Sequence, residues 1–251
     1  MSLPHFSSLS SFTFLPPPRS SPTPTTRLLC SFHTRPSTST TATTLSNILN
    51  SGVIACLRAK SADVALEAAR AAITGGISVL EIVVSTPGVF EVLHQLVQDF
   101  PTTTLGVGTV LNTEDATKAK NAGAKFIMSP AIVKDILDED SDELLYIPGV
   151  MTPTEILSSY NAGAKIVYPV SALGGVQYIA TLKKPFPHIP LIASQGITID
   201  LIGEYIANGA SSVVVSDAIF EKEAMAQRNF TAVYRLAQIA ASQANKFVKR
   251  C

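Results

Sequence analysis

The strongest constraint on the fold is that, from residue 52 onward, short apolar runs alternate eight times with amphipathic stretches. The runs predict strands because they are short, rich in Val and Ile, and bounded by turn residues. They lie at 53–58, 78–84, 104–110, 124–128, 144–147, 164–168, 189–194 and 211–215. The stretches between them repeat apolar residues at helical spacing, as in 62–73 and 89–100.

Eight strand-helix units in about 200 residues fit a closed parallel sheet, since the strands are apolar enough to be buried on both faces. An open doubly wound sheet is expected to carry phosphate-binding glycines after its first strand, and residues 58–61 contain none. The sequence therefore predicts a (β/α)8 TIM barrel over roughly 50–220, closed by a long final helix at about 222–247.

The first 45 residues differ in composition from the rest of the chain. They are rich in Ser, Thr and Pro and contain no Asp or Glu, the first acidic residue being Asp63. This composition is typical of a transit peptide, and its prolines disfavour the amphipathic helix of a mitochondrial presequence. We expect a disordered chloroplast transit peptide over 1–45 and the barrel over 46–251; a merely disordered tail is the alternative.

Composition also narrows the function. The formal net charge is +0, 46% of residues are hydrophobic and 15% are charged, so the chain can build one large core and offers no basic patch for nucleic acid. No apolar run approaches the about 18 residues of a membrane span. The three cysteines, Cys30, Cys56 and Cys251, show neither disulfide nor metal-ligand spacing. Composition therefore favours a globular enzyme.

In a TIM barrel the active site is built where the strands end and from the loops that follow. Here these positions carry LEIVVST with Glu81, GVGTV with Thr109, MSP with Pro130, IPGVMTPTE at 147–155 and YPVSALGG from Tyr168. In order and spacing these motifs resemble the family of 2-keto-3-deoxy-6-phosphogluconate (KDPG) and 4-hydroxy-2-oxoglutarate (KHG) aldolases, in a plant plastid-type member. The resemblance implies a class I lyase that cleaves a 2-keto-4-hydroxy acid to pyruvate and an aldehyde through a Schiff base. It also implies a homotrimer, a small-molecule keto-acid substrate, and chemistry that needs no metal and no other cofactor.

Glu81 stands in an otherwise apolar run, where burial of an unpaired carboxylate is costly. The resemblance implies that it is the general acid/base. A structural carboxylate at the strand edge, paired with a nearby Lys or Arg, is the alternative. The resemblance also implies a set of substrate-binding residues, with Arg58 supplying the positive charge because Ser85 follows Glu81 where relatives carry arginine: Arg58, Thr109, Pro130, Tyr168, Gly196 and Ser216.

The expected imine-forming lysine lies three residues before the proline of the sixth strand, where this chain has Ile166 before Pro169. The lysine nearby, Lys165, is one residue too early, and side chains alternate between the two faces of a strand. The sequence therefore predicts Ile166 on the inner face and Lys165 on the outer face, which makes Lys165 a doubtful nucleophile. A catalytically silent barrel that binds or assembles with active paralogues is the second hypothesis, and a phosphate-binding barrel with other chemistry is the third.

Two residues near the barrel's usual phosphate site argue for an unphosphorylated or shorter substrate. Gln195 replaces the first glycine of the family's pair after strand seven, and Asp217 adds a carboxylate after strand eight. A carboxylate beside a phosphate is repulsive. The alternative for Asp217 is a helix-capping role.

Overall fold

The computed structural model describes residues 39–138, 142–169 and 174–248. Most of the predicted transit peptide, and residues 170–173 of the YPVSALGG motif, lie outside the described residues. The eight strands are Val53–Leu57 (β1), Val79–Val83 (β2), Thr104–Gly108 (β3), Phe126–Ser129 (β4), Leu145–Val150 (β5), Tyr168–Pro169 (β6), Ile192–Ala193 (β7) and Ser212–Val215 (β8).

Ten α-helices accompany the strands in the described residues. They are Thr40–Ser51 (α1), Ala62–Thr74 (α2), Val89–Asp99 (α3), Thr113–Asn121 (α4), Lys134–Leu137 (α5), Pro153–Asn161 (α6), Gly175–Lys183 (α7), Ile202–Ala207 (α8), Lys222–Ala226 (α9) and Phe230–Phe247 (α10). A short 3-10 turn, Ile199–Leu201, precedes α8.

All strand pairs are parallel, in the order β6-β5-β4-β3-β2-β1-β8-β7. The two ends of this sheet meet just before β6 and β7, where Val167 pairs with Leu191. Val167 N donates to Pro190 O at 3.2 Å, and Ile192 N donates to Val167 O at 2.9 Å. The predicted (β/α)8 barrel is confirmed. The sixth and seventh strands are shorter than predicted because regular pairing at this seam covers few residues.

Side-chain alternation divides the core into an inner and an outer part. The inner cluster fills the barrel and includes Ile54, Val79, Phe126, Ile147, Ile166 and Ile192. Gly106 has no side chain there because the ring of Phe126 occupies the space that a Cβ would need. Outward-facing strand residues such as Leu80 and Val107 pack instead with helix residues such as Leu93. The barrel interior filled by the inner cluster is therefore a packed core rather than a pore.

Helix α1 was not predicted and crosses the expected boundary at residues 45 and 46. Its first turn is capped by Ser39, whose side chain accepts from Ala42 N at 3.2 Å. Ile48 is fully buried in the inner cluster, and Leu45 packs against it. The folded barrel thus begins before residue 46, because its interior needs α1 as a cover.

The prediction of one final helix is wrong. The chain forms α9 and α10, separated by Arg228 in a left-handed conformation with φ 56°. Asn229 then starts a new helix, its side chain accepting from Ala232 N at 3.2 Å. Over the described ranges, no helix has the length and apolar character needed to cross a bilayer.

Candidate active site

Glu81 lies on the inner face of β2, and its side chain is only 5% exposed. Within the part of the chain that the structure describes, it is the one charged residue among the buried side chains. Its carboxylate lies over Gly108 on β3, in the space that a Cβ at residue 108 would occupy. The glycine of GVGTV therefore makes room for the carboxylate inside the barrel.

Burial raises the pKa of Glu81 to about 7, because the charged form loses its hydration. The neighbouring Cys56 side chain and the positive charge of Arg58 both act in the opposite direction and lower this pKa. A carboxyl group with a pKa near neutral pH populates both protonation states, which is what a general acid/base requires. Glu81 is not the salt-bridged carboxylate of the alternative interpretation, since none of the ion pairs found among the described residues includes it.

The first and last strands place three more side chains beside Glu81. Cys56 on β1 is the direct neighbour of Glu81 on β2. Ser216, just after β8, donates from Oγ to Cys56 O at 2.8 Å. Arg58 follows β1, is exposed, and donates from Nη1 to Ser85 Oγ at 3.1 Å. The predicted residues Arg58, Glu81 and Ser216 therefore form one cluster, with Cys56 at its centre.

Tyr168 approaches the cluster from β6. It pairs with Gly149 on β5 and its side chain is 8% exposed. Its pKa is raised well above its usual range, first by burial and then by the negative charge of Glu81. Tyr168 is thus part of the inner cluster and lies near enough to Glu81 to feel its charge.

The remaining predicted residues lie at the rim. Thr109 directly follows Gly108 and has φ 61°, while Pro130 is exposed at the end of β4. Gly196 is also exposed, with φ 66°, and the preceding Gln195 has φ 71°. Left-handed conformations at non-glycine residues such as Thr109 and Gln195 cost energy and cluster at functional sites. These loops therefore have the backbone character of a binding rim.

The structure does not bring Lys165 into this site. Its side chain is exposed and lines a surface cavity with Leu45 of α1 and with Asp142 and Leu145, near the start of β5. The next residue, Ile166, is fully buried in the inner cluster. Lys165 therefore lies on the outside at the amino-terminal end of the strands, opposite the end where barrel sites form.

Two residues of this site were missed by the sequence interpretation. The sequence assigns Cys56 no role, since its spacing fits neither a disulfide nor a metal site, and Gly108 is only part of the GVGTV motif. Strand parity was the available signal for Cys56, since it lies two residues before Arg58 and hence on the same face. Its pairing with Glu81 depends on the register between β1 and β2, which no local pattern encodes.

The fold and the cluster together define a (β/α)8 barrel with a buried carboxyl group of raised pKa at the carboxyl-terminal ends of its strands. Comparison with known proteins adds the family. The sequence profile described as KDPG and KHG aldolase matches residues 45–236. The chain belongs to the KDPG and KHG aldolase family.

Individual relatives agree with that assignment. The 2-dehydro-3-deoxy-phosphogluconate aldolase of Pseudoalteromonas atlantica is 31% identical over 158 residues, covering 62% of this chain and 74% of that protein. The KHG/KDPG aldolase of Escherichia coli K12 is 28% identical over 187 residues, covering 70% and 88% respectively. Among solved structures, a KDPG aldolase from Legionella pneumophila, with pyruvate captured as a covalent carbinolamine, superposes with a TM-score of 0.71. It is 27% identical and covers 79% of this chain and 96% of its own.

Proposed function

We propose that this protein is an aldehyde-lyase that cleaves a 2-keto-4-hydroxy acid of the KDPG or KHG type to pyruvate and an aldehyde. The observation that carries the proposal is Glu81, a buried carboxyl group with a pKa of about 7 at the barrel mouth. Family membership supports the reaction class, and the related Legionella pneumophila enzyme forms a covalent adduct with pyruvate.

Glu81 supplies the proton transfers of this reaction. As the carboxylate it removes the proton of the substrate's 4-hydroxyl, the bond between C3 and C4 breaks, and the aldehyde leaves. The electron pair of that bond moves into the group at C2, giving an enamine or enol. Protonated Glu81 then returns the proton to C3, which forms the methyl group of pyruvate. Where C2 carries an imine, water hydrolyses it and releases pyruvate and the free amine.

Class I chemistry needs an amine at C2 to accept that electron pair. Among the described lysines none lies in the inner cluster, and Ile166 takes the predicted place of the amine. Lys183 is partly buried, but its Nζ donates to Ile189 O at 2.8 Å and to Pro187 O at 3.1 Å, in the loop before β7. These observations favour a second candidate function, a catalytically silent barrel that binds a 2-oxo acid or an active paralogue.

Arg58 is the candidate for the negative charge of the substrate. Its guanidinium group is exposed at the mouth and is oriented by Ser85 at 3.1 Å. Exposed Asp217 and the side chain of Gln195 occupy the rim after β8 and β7. This charge distribution supports a carboxylate as the recognised group and an unphosphorylated substrate, because a phosphate would meet the charge of Asp217.

One series of proteins tests the reaction. Pyruvate release, coupled to NADH oxidation by lactate dehydrogenase, is compared for the native chain, for Glu81→Gln, and for a chain with Val and Lys inserted after Ile166. The insertion restores a lysine three residues before Pro169 with its inward parity. We expect it to raise activity by orders of magnitude, and Glu81→Gln in that background to lower activity by about 10²- to 10⁴-fold.

The same series separates the two candidate functions. Equal pyruvate release from the native and inserted chains would show that an amine already reaches C2 and that the register argument is wrong. Pyruvate binding to the native chain without release, together with release by the inserted chain, would establish the silent barrel.

We also propose import into the chloroplast and assembly as a homotrimer. The acid-free, Ser/Thr-rich leader supports the first, and family membership supports the second. A fluorescent protein fused to residues 1–55 is expected in chloroplasts, and cytosolic or mitochondrial signal would refute import. Light scattering of residues 38–251 is expected to give three times the chain mass, and a monomer mass at micromolar concentration would refute the trimer.

A further inference from the structure

Thr109, just after β3, has a backbone conformation that its residue type rarely adopts. Its φ is 61°, in the left-handed region, where a β-branched residue is a genuine outlier. A strained residue of this kind persists only where the surrounding structure holds it in place. Thr109 directly follows Gly108, over which the Glu81 carboxylate lies. The strained residue therefore lies next to the candidate acid/base group.

The residues on either side of Thr109 are held by backbone hydrogen bonds to both neighbouring strands. On the β2 side, Gly108 O accepts from Val84 N at 2.9 Å. On the β4 side, Val110 N donates to Met128 O at 3.0 Å. These two bonds continue the parallel pairing of the sheet, and no side chain takes part in them.

A side chain supplies a third bond. Ser129, the last residue of β4, donates from Oγ to Val110 O. Both residues are 0% exposed, so loss of the hydroxyl would take a hydrogen-bond partner from a carbonyl group that water does not reach. Ile127, two residues earlier on the same strand, packs in the outer part of the core, so strand alternation places Ser129 on the face away from the barrel axis. Ser129 thus acts on Val110 and does not face the substrate space.

Strand β5 fixes the position of Ser129 from the other side. Ser129 pairs in register with Pro148. A Cβ at Gly149 would lie 2.6 Å from Ser129 O and 2.5 Å from Pro130 O, so the bare backbone of glycine lets the two strand ends pack this closely. Ser129 therefore links two segments of the rim, the turn at Thr109 and the chain at Pro130.

We propose that Ser129 is a positioning residue for the barrel mouth, whose hydroxyl holds Val110 and thereby keeps Thr109 in its left-handed conformation next to the site of Glu81. The inference rests on the proposed function, because it takes the rim at Thr109 as part of the substrate-binding mouth. It gives the MSP motif a second role beside that of Pro130.

Hydrogen exchange of the full chain, followed residue by residue by NMR, tests the hold on Val110 without any ligand. Ser129→Ala removes the donor, and we expect exchange of the Val110 amide to become about tenfold faster while that of Val107, within β3, stays unchanged. Ser129→Thr keeps the hydroxyl and should leave the Val110 rate near the native one. Ser159→Ala is the matched control, because Ser159 on α6 is 1% exposed and its Oγ has no hydrogen-bond partner in the described part of the chain.

A second substitution shows whether this hold serves Thr109. Glycine adopts positive φ without strain, so in a Thr109→Gly background Ser129→Ala should speed exchange at Val110 by less than about threefold. Equal increases in the two backgrounds, or an equal increase at Val107, would overturn the proposal, because the effect would then be one of general stability. Ser129→Cys, which has a weak donor of similar size, gives the same comparison if Ser129→Ala does not fold.

Pyruvate binding measures the consequence for the site. By titration calorimetry, the Kd of the native chain for pyruvate should rise about tenfold in Ser129→Ala and stay near the native value in Ser129→Thr and Ser159→Ala. In the chain with Val and Lys inserted after Ile166, Ser129→Ala should raise KM more than it lowers kcat. Unchanged affinity and KM beside faster exchange at Val110 would show a structural role only and would overturn the proposal. The exchange measurement needs neither ligand nor turnover, so its failure is distinct from failure of the lyase activity.

Discussion

The carboxylate of Glu81 lies over the backbone of Gly108, in the space where any larger residue would place its Cβ. Gly108 itself has an ordinary strand conformation, so its lack of a side chain serves space rather than backbone freedom. The carboxyl group of Glu81 and the glycine of the neighbouring strand therefore pack as one unit.

Gly108→Ala should destabilise the protein by about 1–3 kcal/mol, because the added methyl group displaces a buried side chain in a close-packed core. The same change in a Glu81→Ala background should cost much less, since the space is then empty. Urea unfolding of the four proteins gives the coupling energy directly. An equal cost of Gly108→Ala in both backgrounds would contradict the packing that we describe.

The raised pKa of Glu81 predicts a pH dependence of stability. Its folded value of about 7 exceeds the ordinary 4.5, so between these values the native state binds more protons than the unfolded state. The contribution of Glu81 is fully present below about pH 4.5 and is lost as pH rises through 7. The free energy of unfolding of Glu81→Gln relative to native should therefore grow by about 3 kcal/mol from pH 4.5 to 8.

Glu114→Gln is the control for that measurement. Exposed Glu114 pairs with Lys118 at 2.7 Å on α4, and this pairing lowers the pKa of the carboxyl group. The free energy of unfolding of Glu114→Gln relative to native should change only slightly with pH, and in the opposite direction to that of Glu81→Gln. The reason is that the native Glu114 and Lys118 pair becomes more stabilising as pH rises. A flat difference between Glu81→Gln and native would mean that Glu81 is not buried as described.

The inward position of Ile166 predicts where an introduced lysine would become reactive. Ile166→Lys, in a Lys165→Ala background, places the amine on the inner face, two residues before Tyr168. Pyruvate followed by borohydride should label this protein covalently, because reduction traps the imine. Peptide mapping should find the label at residue 166, whereas the native protein should carry none at Lys165. Labelling of native Lys165 would contradict its outward position.

The packing of helix α1 against the barrel predicts that the stably folded part of the chain includes this helix. Ile48→Ala should lower the free energy of unfolding by about 2–5 kcal/mol, because Ile48 is fully buried within the inner cluster. Ser46→Ala, on the exposed face of the same helix, should change it by less than about 0.5 kcal/mol. Similar values for the two variants would show that α1 does not cover the barrel.

Much of the architecture was predictable because each strand-helix unit carries its own period of apolar residues. Seven strands start within three residues of their predicted positions, the exception being β6, which begins at Tyr168 rather than 164. Parity along that one segment was enough to predict that Ile166 faces inward and Lys165 outward. Glu81 was recognisable as a candidate site residue because burial of a carboxylate within an apolar run is energetically costly.

Other features depended on contacts between distant segments, which no local pattern encodes. The composition of the first 45 residues did not indicate that α1 would cover the barrel. Ile48 is buried by packing against the inner cluster, which is formed by strands far along the chain. The break at Arg228 arises where Asn229 caps a second helix. The pairing of Cys56 with Glu81, and the space over Gly108, exist only once the register between adjacent strands is set. Local patterns along the chain are therefore sufficient to predict the repeating units and the faces of their strands. Which side chains meet depends on the assembled barrel, because strand register and closure are set by packing of the whole barrel.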